Sequence, residues 1–298
     1  MLIPKQTKLL LLIFFSAYSL LFDAQNSNAV CTEKTIVYKF TSCLDGQDDF
    51  YVWSIGNLLP ALAVKKPTGK TGLGNKQSAN TPDDTLLVYF HSLKEDFDEL
   101  FKSGLGQEIN KTFPALSLLS CNYGRTPSWG NAVSRIDITN NLRHIMIQSN
   151  VKHIVLVGTS MGACAALTYA ATAPTYIKKK IIGIVAVAPC ADLDDLYQQS
   201  LAPEVKPSLE AALGGSVTDK PAFYHQNSLD SCLAFLPQPI KIAIIAAKED
   251  TYVPIALQMN VVRDLNNRDM NVKSLETDGK SEPPPIESIM AGLQFVFQ

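Results

Sequence analysis

The 298-residue chain has little excess charge of either sign and little histidine. Its 26 Lys and Arg nearly balance 28 Asp and Glu, a formal charge of -2 that gives no reason to expect nucleic acid as a partner. With 16 glycines and 17 prolines it has no collagen-like or low-complexity composition, and no segment repeats at the 20–50-residue period of a solenoid. Histidine occurs four times, at His91, His144, His153 and His225. No His/Cys/Asp cluster has the spacing of a zinc site, so neither a metal nor a cofactor is expected. Hydrophobic residues make up 46% of the chain, enough for one large core.

Long apolar runs are also scarce. The first lies at Leu9–Phe22, behind Lys5 and Lys8, and falls short of the ~20 residues that span a bilayer. A basic start, a short apolar stretch and the small residues Ser27 and Ala29 describe a cleavable leader of residues 1–29. The expected mature chain is a single domain, 30–298, secreted or periplasmic and free of the membrane. Six cysteines in an oxidising compartment predict disulfides, with Cys31–Cys43 the first pair to consider. Asn110-Lys111-Thr112 is a glycosylation sequon, meaningful in a eukaryotic host.

Thr35–Thr41 and Phe50–Ser54 read as a β-hairpin about Asp45-Gly46. Residues 65–84 form a polar loop whose Gly69-Lys70-Thr71 lacks the first glycine of a phosphate loop. Five near-continuous apolar runs follow: Thr85–Phe90, Ala115–Leu119, His153–Val157, Ile181–Ala188 and Ile240–Ala246. Continuous rather than alternating runs mark strands covered on both faces of a parallel sheet. Helical patterns at Ala132–Gln148, Met161–Ala171 and Ile255–Asn266 alternate with them. The expected fold class is α/β, a doubly wound and mostly parallel sheet, with the N-terminal hairpin added. Residues 191–238 interrupt the alternation as a helical, lid-like insert before the strand at 240, over the carboxyl edge where ligands bind. Asp192, Asp194 and Asp195 open it and read as a helix start.

The sharpest motif is Gly158-Thr159-Ser160-Met161-Gly162, between the HIVLV strand and the small-residue helix ACAALTYAA. At a strand-to-helix junction this pattern forces a tight turn that holds the serine hydroxyl out for attack, the two glycines clearing its neighbours. The Met161 N–H, at a helix N-terminus, is placed to hold an oxyanion. On Phe90-His91-Ser92, Phe223-Tyr224 with Asn227-Ser228, and the turn Lys248-Glu249-Asp250-Thr251-Tyr252-Val253-Pro254, the chain resembles the α/β-hydrolase fold family from about residue 36 onward, in its secreted esterase and prolyl-oligopeptidase-like branch. The resemblance implies Ser160 as nucleophile, Asp250 as acid, and the N–H groups of Met161 and Ser92 as the oxyanion hole.

The family's histidine is missing. Asp278-Gly279-Lys280-Ser281-Glu282-Pro283 stands where a Gly-His turn belongs, with Lys280 at the position of the base. Ala247 and Ser92 also replace glycines of the family pattern. A lysine is charged at pH 7, and a nearby carboxylate keeps it so, which predicts a Lys280–Asp250 ion pair instead of a working base. His225, in the insert, is the candidate replacement, while His91, His144 and His153 read as structural. Cys164 reads as core. Two readings follow: an exported serine hydrolase that cleaves small-molecule or polymer carboxylic esters through acylation of Ser160, or a degenerate member of the fold acting as a binding or interaction protein.

Overall fold

The computed structural model describes residues 30–32, 35–41, 48–54, 84–124 and 127–298, the first three stretches and Gln148 as backbone only. The leader, the Asp45-Gly46 turn, the Gly69-Lys70-Thr71 segment and the Cys31–Cys43 pairing lie outside the described residues. Within them run β1 (Val30–Thr32), β2 (Thr35–Thr41), β3 (Asp48–Ser54), β4 (Thr85–Phe90), α1 (Glu99–Lys102), α2 (Leu105–Thr112), β5 (Ser117–Cys121) and α3 (Ala132–Gln148). Then come β6 (His153–Thr159), α4 (Met161–Thr172), α5 (Thr175–Lys178), β7 (Ile181–Val187), α6 (Leu193–Gln199), α7 (Val205–Leu213) and α8 (Pro221–Asn227). The chain ends with β8 (Lys241–Ala247), α9 (Ile255–Asn266), β9 (Asn271–Thr277) and α10 (Ile286–Phe297).

The sheet order is β1-β2-β3-β5-β4-β6-β7-β8-β9. Every pairing from β5 through β4 to β9 is parallel, while β1, β2 and β3 join antiparallel at one edge. All five apolar runs are strands, displaced by at most two residues. Each of β4, β5, β6, β7 and β8 is buried almost throughout, as expected of strands with helices on both faces. The sixth parallel strand, β9, had no apolar signal: its sequence NVKSLET alternates between exposed and half-buried positions because it sits at the sheet edge.

The order places the site. From β4 the chain steps outward to β5, then returns across β4 to β6, so the connections leaving β4 and β6 run apart. Such a reversal opens a crevice at the carboxyl ends of the two strands. α4 begins in that crevice. Its sequence MGACAALTYAAT is buried over eleven of its residues, and the alanines let it lie close on β6 and β7. α3 starts with Asn131, whose side chain accepts the Ser134 N–H at 3.0 Å. The insert is helical, as expected: α6, α7 and α8 fill it, and Asp192 caps α6 by accepting the Asp194 N–H at 2.8 Å. Cys121, Cys164, Cys190 and Cys232 are free and buried, so the expectation of disulfides fails for every described cysteine side chain. They serve as small core residues. Burial pushes the Cys164 thiol up to about 12, where it stays protonated.

Candidate active site

Ser160 is the single residue between β6 and α4, held at φ 53° and ψ -117°. A non-glycine residue there costs about 1–3 kcal/mol, which the surroundings must impose. They do so through the Ser160 N–H, which donates to Val187 O at 2.8 Å, and through two bare glycines. A Cβ on Gly158 would stand 2.3 Å from Gly162 O, and one on Gly162 would stand 2.1 Å from Phe90 O. Both contacts are with backbone, which cannot swing aside. The motif glycines are therefore what let strand, turn and helix close on one another.

The serine hydroxyl is not held out into solvent. Ser160 is 0% exposed, and its Oγ has no hydrogen-bond partner among the described residues. The Met161 N–H, next in the chain, donates to no described acceptor and is free for an oxyanion. Ser92 differs from expectation: its N–H donates to Glu99 Oε2 at 2.8 Å and is already engaged. The following amide, Leu93 N–H, has no acceptor among the described residues and adjoins the same crevice.

Glu99 was invisible in the sequence because it lies in an ordinary-looking loop and short helix. In the fold it is buried, at 3% exposure, and takes three donors. The Ser92 hydroxyl reaches Oε1 at 2.8 Å, and the Tyr89 hydroxyl and Ser92 N–H reach Oε2 at 3.0 and 2.8 Å. Burial outweighs those donors and lifts its carboxyl to about 7, with Glu282 adding repulsion.

Asp250, in the loop after β8, is 5% exposed. Its Oδ1 accepts the Val253 N–H at 2.7 Å. Its Oδ2 accepts the Ser281 N–H at 2.9 Å and the Ser281 hydroxyl. The predicted Lys280–Asp250 ion pair is not formed. Lys280 is exposed, and Ser281, one residue on, turns inward and bonds to Asp250 in its stead. A buried carboxylate accepts three short hydrogen bonds here instead of neutralising an ammonium that would have to be desolvated. Glu282 follows, half-buried, with Oε1 unpartnered among the described residues. Burial first, then Asp250 and Glu95, raise its carboxyl, while the Ser92 hydroxyl and Lys94 oppose the rise.

No histidine bonds to Ser160. His225 lies on α8 and is exposed, near Asp230. His91 is buried, its Nδ1 2.9 Å from Ser92 O and its ring 4.6 Å from that of Tyr123; burial lowers its pKa. His144 is half-buried on α3, and His153 opens β6 at the end away from Ser160. No group of three or more described His, Cys, Asp or Glu residues is arranged to hold a metal ion.

The insert reaches the crevice through α7. The Trp129 Nε1–H donates to the Ser208 hydroxyl at 2.9 Å. Glu204 pairs with Lys94 and accepts the Tyr252 hydroxyl at 2.6 Å, so loops after β4, β7 and β8 are tied together. Beside this tie lies an open surface depression of about 300 Å³ lined by Leu93, Lys94, Pro127, Glu204, Pro207, Ser208 and Ala211. A larger one, about 650 Å³, opens at the amino ends of β7, β8 and β9, the side of the sheet opposite the crevice.

No family model matches the chain. Over 103 residues it is 28% identical to the sn-1-specific diacylglycerol lipase ABHD11 of Danio rerio, a match that spans 34% of this chain and 31% of that protein. Solved structures resemble it along most of its length. FphF, a fluorophosphonate-binding serine hydrolase of Staphylococcus aureus, superposes with a TM-score of 0.62 at 16% identity, over 89% of this chain and 98% of that one. The acylaminoacyl peptidase of Pyrococcus horikoshii gives 0.60 at 10% identity, over 94% of this chain and 41% of the other. Esterase B of a Lactobacillus gives 0.56 at 12%, over 95% and 90%. The chain has the α/β-hydrolase fold.

Proposed function

We propose that the protein is an exported serine hydrolase that cleaves small-molecule carboxylic esters through an acyl-Ser160 intermediate. One observation carries the reading: Ser160 is kept in a strained backbone conformation with its buried Oγ unpartnered and a free N–H beside it. The hydroxyls of Ser117, Ser120 and Ser128 are also buried without a partner, but Ser160 alone of these serines combines that with a positive φ, each cost being about 1–3 kcal/mol. In the reaction the Ser160 oxygen bonds to the ester carbonyl carbon, and the carbonyl electron pair moves to its oxygen, facing Met161 N–H. The alcohol then leaves with a proton, and water releases the acid. Asp250 holds Ser281 and so ties the loop after β9 to the loop after β8. The names of several structural neighbours, esterases among them, agree with ester substrates. No nucleic acid or membrane is part of this reading.

A second reading rests on the burial of Ser160 and the serine that stands against Asp250: a protein of this fold that binds without turnover. Hydrolysis of p-nitrophenyl acetate, beside labelling by a fluorophosphonate, separates them. Turnover and labelling by the wild type, both lost in Ser160→Ala, support the hydrolase. A wild type that matches Ser160→Ala in both assays, while Ser281→His gains activity, shows a disarmed site and the binding reading. N-terminal sequencing of the protein collected outside its producing cell tests export, with Val30 the expected first residue.

A further inference from the structure

The loop of Ser281 and Glu282 lies at the carboxyl edge of the sheet, the edge at which Ser160 follows β6. Ser281 donates to Asp250, which lies beyond β8, while Glu282 lies beside Ser92, beyond β4. In the sheet those two strands are separated by β6 and β7, so they stand three strand spacings, about 14 Å, apart. Adjacent residues that touch the loops after both β8 and β4 draw those loops together at this edge, and Ser160 is the first residue beyond β6, which lies between them. At this edge Ser160 Oγ and Glu282 Oε1 are both buried, each without a hydrogen-bond partner among the described residues, and they are not bonded to each other.

We propose that the Glu282 carboxylate is the proton acceptor for the Ser160 hydroxyl, in the role a histidine plays in a Ser-His-Asp triad. The inference rests on the hydrolase reading above. As Ser160 Oγ bonds to the ester carbonyl carbon, its proton passes to Glu282 Oε1, giving a neutral carboxylic acid. That acid returns the proton to the alkoxide oxygen as the C–O bond breaks, and the alcohol departs. Deacylation repeats the cycle with water as nucleophile. The groups that face Glu282 are Asp250, Glu95 and Glu99, which oppose its ionisation, and Lys94 and the Ser92 hydroxyl, which favour it. An ordinary carboxylate is a weak base at pH 7; burial among other carboxylates brings its basicity nearer the working pH, where general-base catalysis is most effective.

The test is kcat and KM for p-nitrophenyl acetate from pH 4 to 9 in the wild type, Ser160→Ala, Glu282→Gln and Glu282→Asp, with a thermal melt of each. Glu282→Gln is expected to lose about 10²–10⁴ in kcat with KM little changed, the usual contribution of a general base. The wild-type rate should rise with pH through one ionisation that the Gln variant lacks. Glu282→Asp, still charged, should keep partial activity with that ionisation displaced. Ser160-dependent hydrolysis in which Glu282→Gln equals the wild type overturns this role and leaves the hydrolase reading standing. No Ser160-dependent hydrolysis at all overturns both. Should the Gln variant not melt as a folded protein, the Asp variant decides: full activity with an undisplaced profile overturns the role.

Discussion

Replacing Ser160 by alanine and by glycine should make the protein more stable, in that order. Two costs meet at this residue: the φ 53°, ψ -117° backbone and the unpartnered, fully buried hydroxyl. Alanine removes the hydroxyl but keeps a Cβ, so it recovers only the desolvation cost of about 1–3 kcal/mol, less the contacts the oxygen made. Glycine also removes the clash that makes positive φ costly, about 1–3 kcal/mol. Against that gain stands the greater freedom of an unfolded glycine, about 0.5–1 kcal/mol. The net expectation is about 1 kcal/mol for Ser160→Ala and about 2 kcal/mol for Ser160→Gly. For a chain of this size each kcal/mol moves Tm by roughly 2 °C. Urea unfolding followed by tryptophan fluorescence suits the measurement, because Trp129 is buried near the insert. If both variants unfold at or below the wild-type midpoint with an unchanged slope, Ser160 stores no strain, and the main support for its catalytic role goes with it.

The glycine clearances give a second expectation: Gly162→Ala drives a Cβ to 2.1 Å from Phe90 O, whereas Gly279 has nothing within 4 Å. Gly162→Ala should cost at least 3 kcal/mol or leave no soluble protein, and Gly279→Ala should melt like the wild type within about 0.5 kcal/mol; equal melts for the two would refute the tight junction. Glu99 makes stability pH-dependent. Its folded carboxyl, at about 7, lies above its ordinary 4.5, so its contribution is full below pH 4.5 and is lost as the pH climbs through 7. The loss approaches ~3 kcal/mol, and the fall in urea midpoint between pH 4.5 and 8 should shrink in Glu99→Gln; an undiminished fall places the titration elsewhere.

Much of the molecule was legible residue by residue. The five apolar runs specify strands covered on both faces, because a segment that lacks polar alternation has no face to give to water. Gly158-x-Ser160-x-Gly162 between a strand and an alanine-rich helix carried the elbow, since only glycine permits those backbone contacts. β9 escaped because an edge strand half-exposed to solvent carries no apolar signature. Ser281 escaped for a different reason. Register in a loop is set by which residue points inward, and the motif pattern put Lys280, not Ser281, against Asp250.

What the linear chain determined, then, was the element pattern and the tight turn at Ser160, both of them consequences of local sterics and burial. Tertiary structure decided the environment of that serine. It put Ser160 out of contact with solvent, gave the Ser92 amide to a distant Glu99, turned Lys280 outward, and brought Glu282 beside Ser92. Each of these joins residues far apart in sequence: Ser92 and Glu282 meet only because β4 and β8 share a sheet with β6 and β7 between them. Such proximities are set by strand order and by the cost of burying charge, neither of which is written in a local motif.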